Sequence, residues 1–402
     1  MCEMHSNNNN GVGAKTVPVT EAVGMVIAHD ITEIIPGKFK GRAFKKGHIV
    51  REEDVCHLQR LGKENLFILE MKEDEMHEND AAYAIANALA GSGVKLDGEP
   101  REGRINLVAE IDGLLKVDRK ALFKFNMLGE VMCATVHNNS VVKKGQVVAG
   151  TRAIPLVVKK SLIKEAVKIA EDAKDKNPPY PPLTKGGWGG YKTTGIIEVK
   201  EMRKPKTGIV ITGNEVYYGR VKDAFGPVIT KKIMSVDGEV VGVYFAPDDA
   251  KYIEDRIKEL IAAGADLIIT TGGMSVDPDD VTRFAIRNIG VDELSYGTPV
   301  LPGAMFLVAY LVKGSRSQGV KGSGEKENHS LEPLNPGTLE SFIPILGIPA
   351  CGMYSNITVF DIILPRVLAG ERISREELAE LGHGGLCLKC SECRYPVCPF
   401  GK

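Results

Sequence analysis

The sequence has no excess of charge of either sign. Its 51 basic and 52 acidic residues leave a formal net charge of -1. Proteins that bind nucleic acid or an acidic membrane surface usually carry a basic excess or a basic stripe that attracts the negatively charged partner. The balanced charge therefore argues against nucleic acid and against a membrane as partners.

Long hydrophobic runs are missing as well. A helix that spans a membrane needs about 18 or more consecutive apolar residues, and no stretch of this chain approaches that length. The chain begins MCEMHS and continues with asparagines at 7–10. This beginning has neither the basic segment nor the apolar core of a signal peptide. We therefore expect a cytoplasmic protein.

Tryptophan occurs once, at Trp188, inside a stretch that is dense in proline and glycine. Such a composition offers too little apolar surface to fold, so residues 176–205 are predicted to form a linker insert. Residues 1–15 are predicted to be a disordered tail. Residues 314–341, rich in Gly, Ser and Asn, are predicted to be a flexible loop between two apolar segments.

The length of 402 residues is too great for one average domain and indicates two or three. Residues 16–175 alternate short apolar runs with glycine and charge, which predicts a β-rich α+β N-terminal region. Amphipathic patterns and glycine stops predict helices within it. These helices are expected at 52–61, 80–90 and 161–174.

From residue 206 the pattern changes to strands that alternate with helices, which predicts a parallel sheet with right-handed crossovers. Predicted strands and apolar segments lie at 208–212, 240–245, 266–271, 304–312 and 342–348. Predicted helices lie at 227–236, 249–263, 281–290 and 356–368. The last helix contains Pro365, which predicts a kink or a break there.

Ligands of parallel sheets bind at the carboxyl ends of the strands. Four polar or glycine-rich turns follow these ends in the sequence, and the topology places them on one rim of the sheet. The turns are Thr212-Gly213-Asn214-Glu215, residues 247–249, Thr271-Gly272-Gly273 and residues 347–352.

One of these turns continues into an acidic loop and a predicted helix start. Gly272 and Gly273 permit close approach of the backbone to a ligand. Free amides and a helix N-terminus favour phosphate. Three aspartates in the loop do not suit bare phosphate but suit phosphate carried with a divalent cation. These aspartates are Asp277, Asp279 and Asp280.

Taken together, the turns resemble the molybdopterin-binding domain shared by the molybdopterin adenylyltransferases and the molybdopterin molybdenumtransferases. The resemblance covers about residues 206–370, and the ordered combination of segments is what makes it specific. Residues 16–205 resemble the N-terminal region of a longer subgroup of these proteins, which also ends in a cysteine-rich tail. The matching segments are 212–216, Gly219-Arg220, Asp223, 247–249, 271–275, 280–282, 301–305, 347–349, 360–361 and 364–365.

The resemblance implies a three-layer α/β/α domain, here residues 206–372, that binds the phosphate and dithiolene end of molybdopterin and works with Mg²⁺. The family's essential carboxylates fall on Asp248 and Asp280, which are expected to be catalytic and to hold the Mg²⁺. A plain helix-capping role is the alternative for both. The residues expected to contact the cofactor are Thr212, Gly213, Asn214, Glu215, Thr271, Gly272, Gly273, Ser275, Thr282, Gly347 and Pro349.

Two departures from the family pattern bear on function. The molybdenumtransferases usually have Asp where this chain has Asn214, and they use an acidic residue of a separate N-terminal domain that has no assigned counterpart here. The leading interpretation is a protein of molybdenum cofactor biosynthesis, similar to the molybdenumtransferases, that takes a pterin and molybdate and promotes metal insertion. The alternative is a non-catalytic molybdopterin carrier or sensor that serves a client molybdoenzyme. Molybdenum versus tungsten, and association into a homo-oligomer, are left open.

The segment 373–402 is a cysteine-rich tail. Four thiols in a short polar segment predict a metal site, either a four-thiolate zinc or an iron–sulfur cluster. The spacing is close to the ferredoxin run but has four residues before the last cysteine instead of three. Disulfides and free thiols are the alternatives. The cysteines are Cys387, Cys390, Cys393 and Cys398.

Overall fold

A computed structural model describes residues 14–35, 39–69, 72–176, 195–274, 281–312 and 342–402. The predictions for residues 1–13, 177–194 and 313–341 lie outside the described residues, as do those for Ser275 and for the three aspartates of the acidic loop. The described residues divide into two compact units, the first ending at Lys200 and the second running from Glu201 to Lys402.

The first unit is β-rich with amphipathic helices. Its strands are β1 (Ala14–Pro18), β2 (Ile31–Ile35), β3 (Phe39–Phe44), β4 (Asn65–Leu69), β5 (Glu75–His77), β6 (Val94–Leu96), β7 (Arg104–Ala109), β8 (Gly113–Val117), β9 (Val131–Thr135), β10 (Val141–Val142), β11 (Val147–Ala153), β12 (Val157–Lys159) and β13 (Ile197–Lys200). Its helices are α1 (Glu52–Arg60), α2 (Glu78–Leu89), α3 (Arg119–Asn126) and α4 (Lys160–Lys176).

One core of this unit lies between α2, α3 and α4 and the four-stranded sheet β6-β7-β11-β9. A second core contains Val17 of β1, Leu58 of α1 and Leu66 of β4. The three helices predicted from the sequence agree with α1, α2 and α4 to within two residues. Helix α3 was not predicted, because it lies among strand-like segments; its local signal is Asp118, whose carboxylate accepts hydrogen bonds from two amides of the first turn. Strand β13, inside the range predicted as a linker, pairs with β8.

The second unit is built on one six-stranded sheet in the order β15-β14-β16-β19-β18-β17. The strands are β14 (Lys206–Thr212), β15 (Glu239–Ala246), β16 (Leu267–Thr271), β17 (Glu293–Tyr296), β18 (Leu307–Val312) and β19 (Phe342–Ile348). The helices are α5 (Asn214–Tyr217), α6 (Phe225–Met234), α7 (Ala250–Ala262), α8 (Thr282–Asn288), α9 (Val359–Leu368) and α10 (Arg375–Glu380). Strands β15, β14, β16 and β19 are mutually parallel, and β18 is antiparallel to β19.

Side chains of the central strands point alternately to the two faces of the sheet, and helices cover both faces, which gives three layers. Ile209 and Ile211 of β14 face a core that contains α6 and α9, whereas Val210 faces a core that contains α7 and α8. Successive side chains of a strand point to opposite faces, so an apolar run buries both. The predicted three-layer α/β/α domain with a mostly parallel sheet is therefore confirmed.

The sequence predicted a kink or a break at Pro365. Helix α9 does not break there but runs from Val359 to Leu368 with Pro365 inside it. A proline lacks the N–H that would bond to the carbonyl four residues earlier. That carbonyl belongs to Asp361, and it accepts a hydrogen bond from the hydroxyl of Tyr395 at 3.4 Å. The C-terminal tail thus supplies a donor where the helix lacks one.

Candidate functional site

Four strand ends meet at one edge of the second unit's sheet. The register pairs Thr212 with Ala246, and Thr271 with both Ile211 and Ile348. Because these strands are parallel, the turns that follow them lie at the same edge. We call the four turns, residues 212–215, 246–249, 271–274 and 348–352, the rim.

The first two turns of the rim are joined by a reciprocal pair of hydrogen bonds. The backbone N–H of Asn214 donates to Oδ2 of Asp248 at 3.0 Å, and the N–H of Asp248 donates to Oδ1 of Asn214 at 3.3 Å. The N–H of Gly213 adds a third bond, to the carbonyl of Ala246 at 3.1 Å. These bonds fix the spacing between the two turns.

Glycine is favoured at position 213 by its backbone conformation. Its φ is 138°, a region that other residues rarely adopt. A Cβ added there would lie 2.6 Å from Oε1 of Glu215. The Glu215 carboxylate therefore folds back over Gly213 at the edge of the rim.

The two aspartates of the second turn have different tasks. Asp249 caps α7, since its carboxylate accepts the Tyr252 amide at 2.7 Å. Asp248 instead holds Asn214, as described above. Within the described residues, no group of three or more His, Cys, Asp or Glu side chains could hold a metal ion, so the described part of the rim alone does not form a magnesium site.

The glycine turn after β16 contains backbone amides that have no hydrogen-bond acceptor among the described residues. Gly272 and Gly273 have φ values of 81° and 54°, which a side chain would disfavour. Across the described residues, the amides of Gly272, Gly273 and Met274 donate no hydrogen bond to the protein. Successive free amides at left-handed residues form a concavity that suits an anion.

Three buried threonines pack and hydrogen-bond next to this turn. Oγ1 of Thr212 donates to the carbonyl of Thr271 at 2.8 Å and lies 3.0 Å from Oγ1 of Thr282. All three residues are buried. The hydroxyl of Thr271 finds no hydrogen-bond partner in the described structure, and an unsatisfied buried hydroxyl typically costs about 1–3 kcal/mol.

The other predicted contact residues are buried. A Cβ added to Gly347 would lie 2.1 Å from Cε of Met274, so this glycine makes room for the side chain that backs the glycine turn. Pro349 is buried and precedes the short 3-10 helix Ala350–Met353. The structure thus places both in the packing beneath the rim.

Two further features lie beside the rim, and the aromatic one was missed by the sequence analysis. Tyr217 and Tyr252 form an edge-to-face pair with centroids 5.5 Å apart, and Tyr218 packs on Tyr217 at 5.1 Å. Arg283 lies against the rings of Phe284 and Tyr296. The adjacent tyrosines after the first turn were the available signal for the aromatic group.

In the described part of the chain, which includes all four tail cysteines, no group of three or more His, Cys, Asp or Glu side chains could hold a metal ion. Cys387 and Cys398 are partly buried against the core of the second unit, whereas Cys390 and Cys393 are exposed. A tetrahedral zinc site needs four thiolates about 2.3 Å from one point. The zinc or iron–sulfur site therefore stays a prediction for this segment.

A comparison with known protein families matches the part of the chain that contains the rim. Residues 208–363 match a family described as a probable molybdopterin binding domain. The matched segment contains all four turns of the rim. Ahead of this domain, residues 16–70 match a domain of unknown function, DUF8806.

The curated relatives match only a segment of the chain. A CinA-like protein of Mycobacterium sp. (strain MCS) is 37% identical over 92 residues, which is 22% of this chain and 22% of that protein. A CinA-like protein of Mycobacterium avium (strain 104) is also 37% identical over 92 residues, 22% of this chain and 21% of that protein. The chain therefore spans about a fifth of the length of the curated relatives it matches.

Two solved structures resemble this chain only weakly overall. The tungsten cofactor synthesizing protein MoaB from Pyrococcus furiosus is 18% identical with a TM-score of 0.30, covering 42% of this chain and 97% of that one. The molybdopterin biosynthesis moea protein from Pyrococcus horikosii is 15% identical with a TM-score of 0.28, covering 89% of this chain and 76% of that one. Likenesses this weak carry no inference about function.

Proposed function

We propose that the molybdopterin-binding domain binds molybdopterin, or its adenylated form, at the rim, and that the chain acts in molybdenum cofactor biosynthesis. One observation carries the proposal. The glycine turn presents three successive amides that donate no hydrogen bond within the described residues, in the segment that matches the family. Free amides of this kind are suited to phosphate oxygens.

The proposed reaction is insertion of molybdate into the pterin dithiolene. It brings several anions together, so the protein has to position them and offset their charge. The amides of the glycine turn would hold the phosphate end, and the reciprocal Asn214–Asp248 bonds would keep the neighbouring turn rigid. Both are roles of binding and orientation.

Magnesium enters only as a prediction from the family resemblance. Of the two expected ligands, Asp248 already accepts the Asn214 amide, and Asp280 lies outside the described residues. A hard cation of this kind requires several oxygen ligands or waters in near-octahedral positions. No step of the proposed function is therefore assigned to the ion.

A second candidate function is that of a non-catalytic molybdopterin carrier or sensor for a client molybdoenzyme. The observation that favours it is the neutral residue Asn214. Its backbone N–H and its side-chain oxygen both form hydrogen bonds with Asp248. With an amide instead of a carboxylate at position 214, the rim is better suited to binding than to turnover. The client enzyme is a prediction with no structural counterpart in the chain.

The experiment measures molybdopterin binding and molybdate insertion by the purified full-length protein. Binding together with insertion supports the transferase, and tight binding of molybdopterin and its adenylate without insertion supports the carrier. An Asp280→Ala variant tests the carboxylate: equal affinity and equal insertion in both forms would remove Asp280 from its proposed role. Absence of binding by the wild-type protein would contradict both functions.

A further inference from the structure

Arg283 has a guanidinium that packs on aromatic rings and has no ion-pair partner among the described residues. Its Cζ lies 4.9 Å from the ring centroid of Phe284 and 5.6 Å from that of Tyr296. Its Nε is buried without a hydrogen-bond partner, and no carboxylate of the described residues forms an ion pair with it. A guanidinium stacked in this way loses little further entropy when it binds a planar or tetrahedral anion.

The same residues place Arg283 beside the glycine turn. The hydroxyl of Tyr296, whose ring contacts Arg283, donates to the backbone carbonyl of Met274. The residue before Arg283 is Thr282, whose Oγ1 would lie 2.3 Å from a Cβ added to Gly273. Arg283 is therefore tied to the turn through a ring on one side and through its chain neighbour on the other.

We propose that Arg283 binds the phosphate monoester of the pterin ligand together with the free amides of Gly272 and Gly273. This inference rests on the proposed function, because it names the part of the ligand that the glycine turn receives. A guanidinium presents parallel N–H donors that match two phosphate oxygens, whereas an ammonium offers a point charge. The turn supplies neutral donors and Arg283 supplies the charge that offsets the dianion.

The test compares two probes, molybdopterin and its dephosphorylated form, by equilibrium binding to the full-length protein. The variants are Arg283→Met, which removes the charge, and Arg283→Lys, which keeps the charge but loses the parallel N–H donors of the guanidinium. Arg287→Met is the matched control, since Arg287 lies one turn later on α8 and is exposed. Thermal unfolding of each variant checks that the fold is retained.

Loss of a charge-assisted hydrogen bond predicts that Arg283→Met weakens molybdopterin binding about 10- to 100-fold. The molybdopterin affinity of Arg283→Lys should lie between those of wild type and Arg283→Met. The affinity of Arg287→Met should equal that of wild type. Binding of the dephosphorylated pterin should be the same in all four proteins.

Two results would overturn the inference while leaving the proposed function intact. One is equal weakening of both probes in Arg283→Met, which would assign the residue to packing on Phe284 and Tyr296. The other is competition by AMP that depends on Arg283 while molybdopterin binding does not, which would assign it to a nucleotide phosphate. Failure of the wild-type protein to bind either pterin would instead refute the proposed function.

Discussion

At the scale of single residues, Asn214 and Asp248 show what the sequence could and could not predict. Both positions follow predicted strands, so the apolar pattern places them at strand ends. Their mutual hydrogen bonds could not be predicted, because they depend on β15 lying next to β14 in the sheet. An acidic side chain at 214 would put a second carboxylate beside Asp248, where like charges raise each other's pKa.

Glu78 is a residue whose importance the sequence did not reveal. It begins α2 and is 7% exposed, and within the described residues its carboxylate makes no hydrogen bond or ion pair. Burial raises the pKa of Glu78, and nearby Arg152 and Lys46 oppose the shift. Folding of the first unit therefore shifts this carboxyl group toward its neutral form relative to the unfolded chain.

This shift predicts a pH-dependent gain of stability in Glu78→Gln. Because the folded-state pKa is raised above the unfolded value, the stabilising contribution is present below the unfolded pKa and is lost as the pH rises through the folded pKa. The variant should therefore match wild type near pH 4 and unfold at a higher temperature near pH 8. Thermal unfolding across that range measures the difference, with the exposed Glu110→Gln as control; a variant less stable than wild type at pH 8 would refute the assignment.

At the scale of elements, strongly periodic segments were predicted well and turns were predicted only in outline. Helices α2, α4 and α7 have apolar stripes that define them within the sequence, and each buries that stripe. Helix α9 was harder, because the donor that compensates for Pro365 comes from Tyr395. Burial beside that helix raises the pKa of Tyr395 to about 12, so the hydroxyl keeps its proton at neutral pH.

The tail has a structural role that the metal prediction did not include. The N–H of Gly401 bonds to the carbonyl of Gly384 at 3.0 Å and closes the tail into a loop. Phe400 is 4% exposed and belongs to the core that contains α9. The tail therefore completes the packing of the second unit on one face of its sheet.

Phe400→Ala should consequently destabilise the second unit by about 3–5 kcal/mol, the usual cost of removing a buried aromatic side chain. Val397→Ala, on the same tail and 91% exposed in the parent residue, should change stability by less than about 0.5 kcal/mol. Urea unfolding of both variants provides the comparison. Equal stability of Phe400→Ala and wild type would show that the tail does not support the core.

At the scale of the whole molecule, the chain contains two units with separate hydrophobic cores. Within the described ranges, no helix has the length and apolar character needed to cross a membrane. The sequence predicted the fold class of the second unit because strands and helices alternate regularly there. The first unit was predicted only as β-rich, because its short strands pair across long sequence distances, for example β13 with β8.

Separate cores lead us to expect two unfolding transitions and a selective effect of ligand. A ligand that binds only the folded state stabilises the unit that holds it, by about 2.7 kcal/mol at a concentration 100 times Kd. Molybdopterin should raise the midpoint of the transition that Phe400→Ala lowers and leave the other unchanged. Calorimetry of the full-length protein with and without the pterin tests this, and a shift confined to the other transition would place the site in the first unit.

The most direct test of the central claim is molybdopterin binding by Gly273→Ala against Gly290→Ala. Both glycines have positive φ, 54° and 85°, so both variants carry a backbone cost of about 1–2 kcal/mol. The added Cβ at 273 would meet Thr282 at 2.3 Å and displace the turn, whereas at 290 it meets nothing within 4 Å. We predict at least about tenfold weaker binding for Gly273→Ala and wild-type affinity for Gly290→Ala. Wild-type affinity in both variants would contradict binding at the glycine turn.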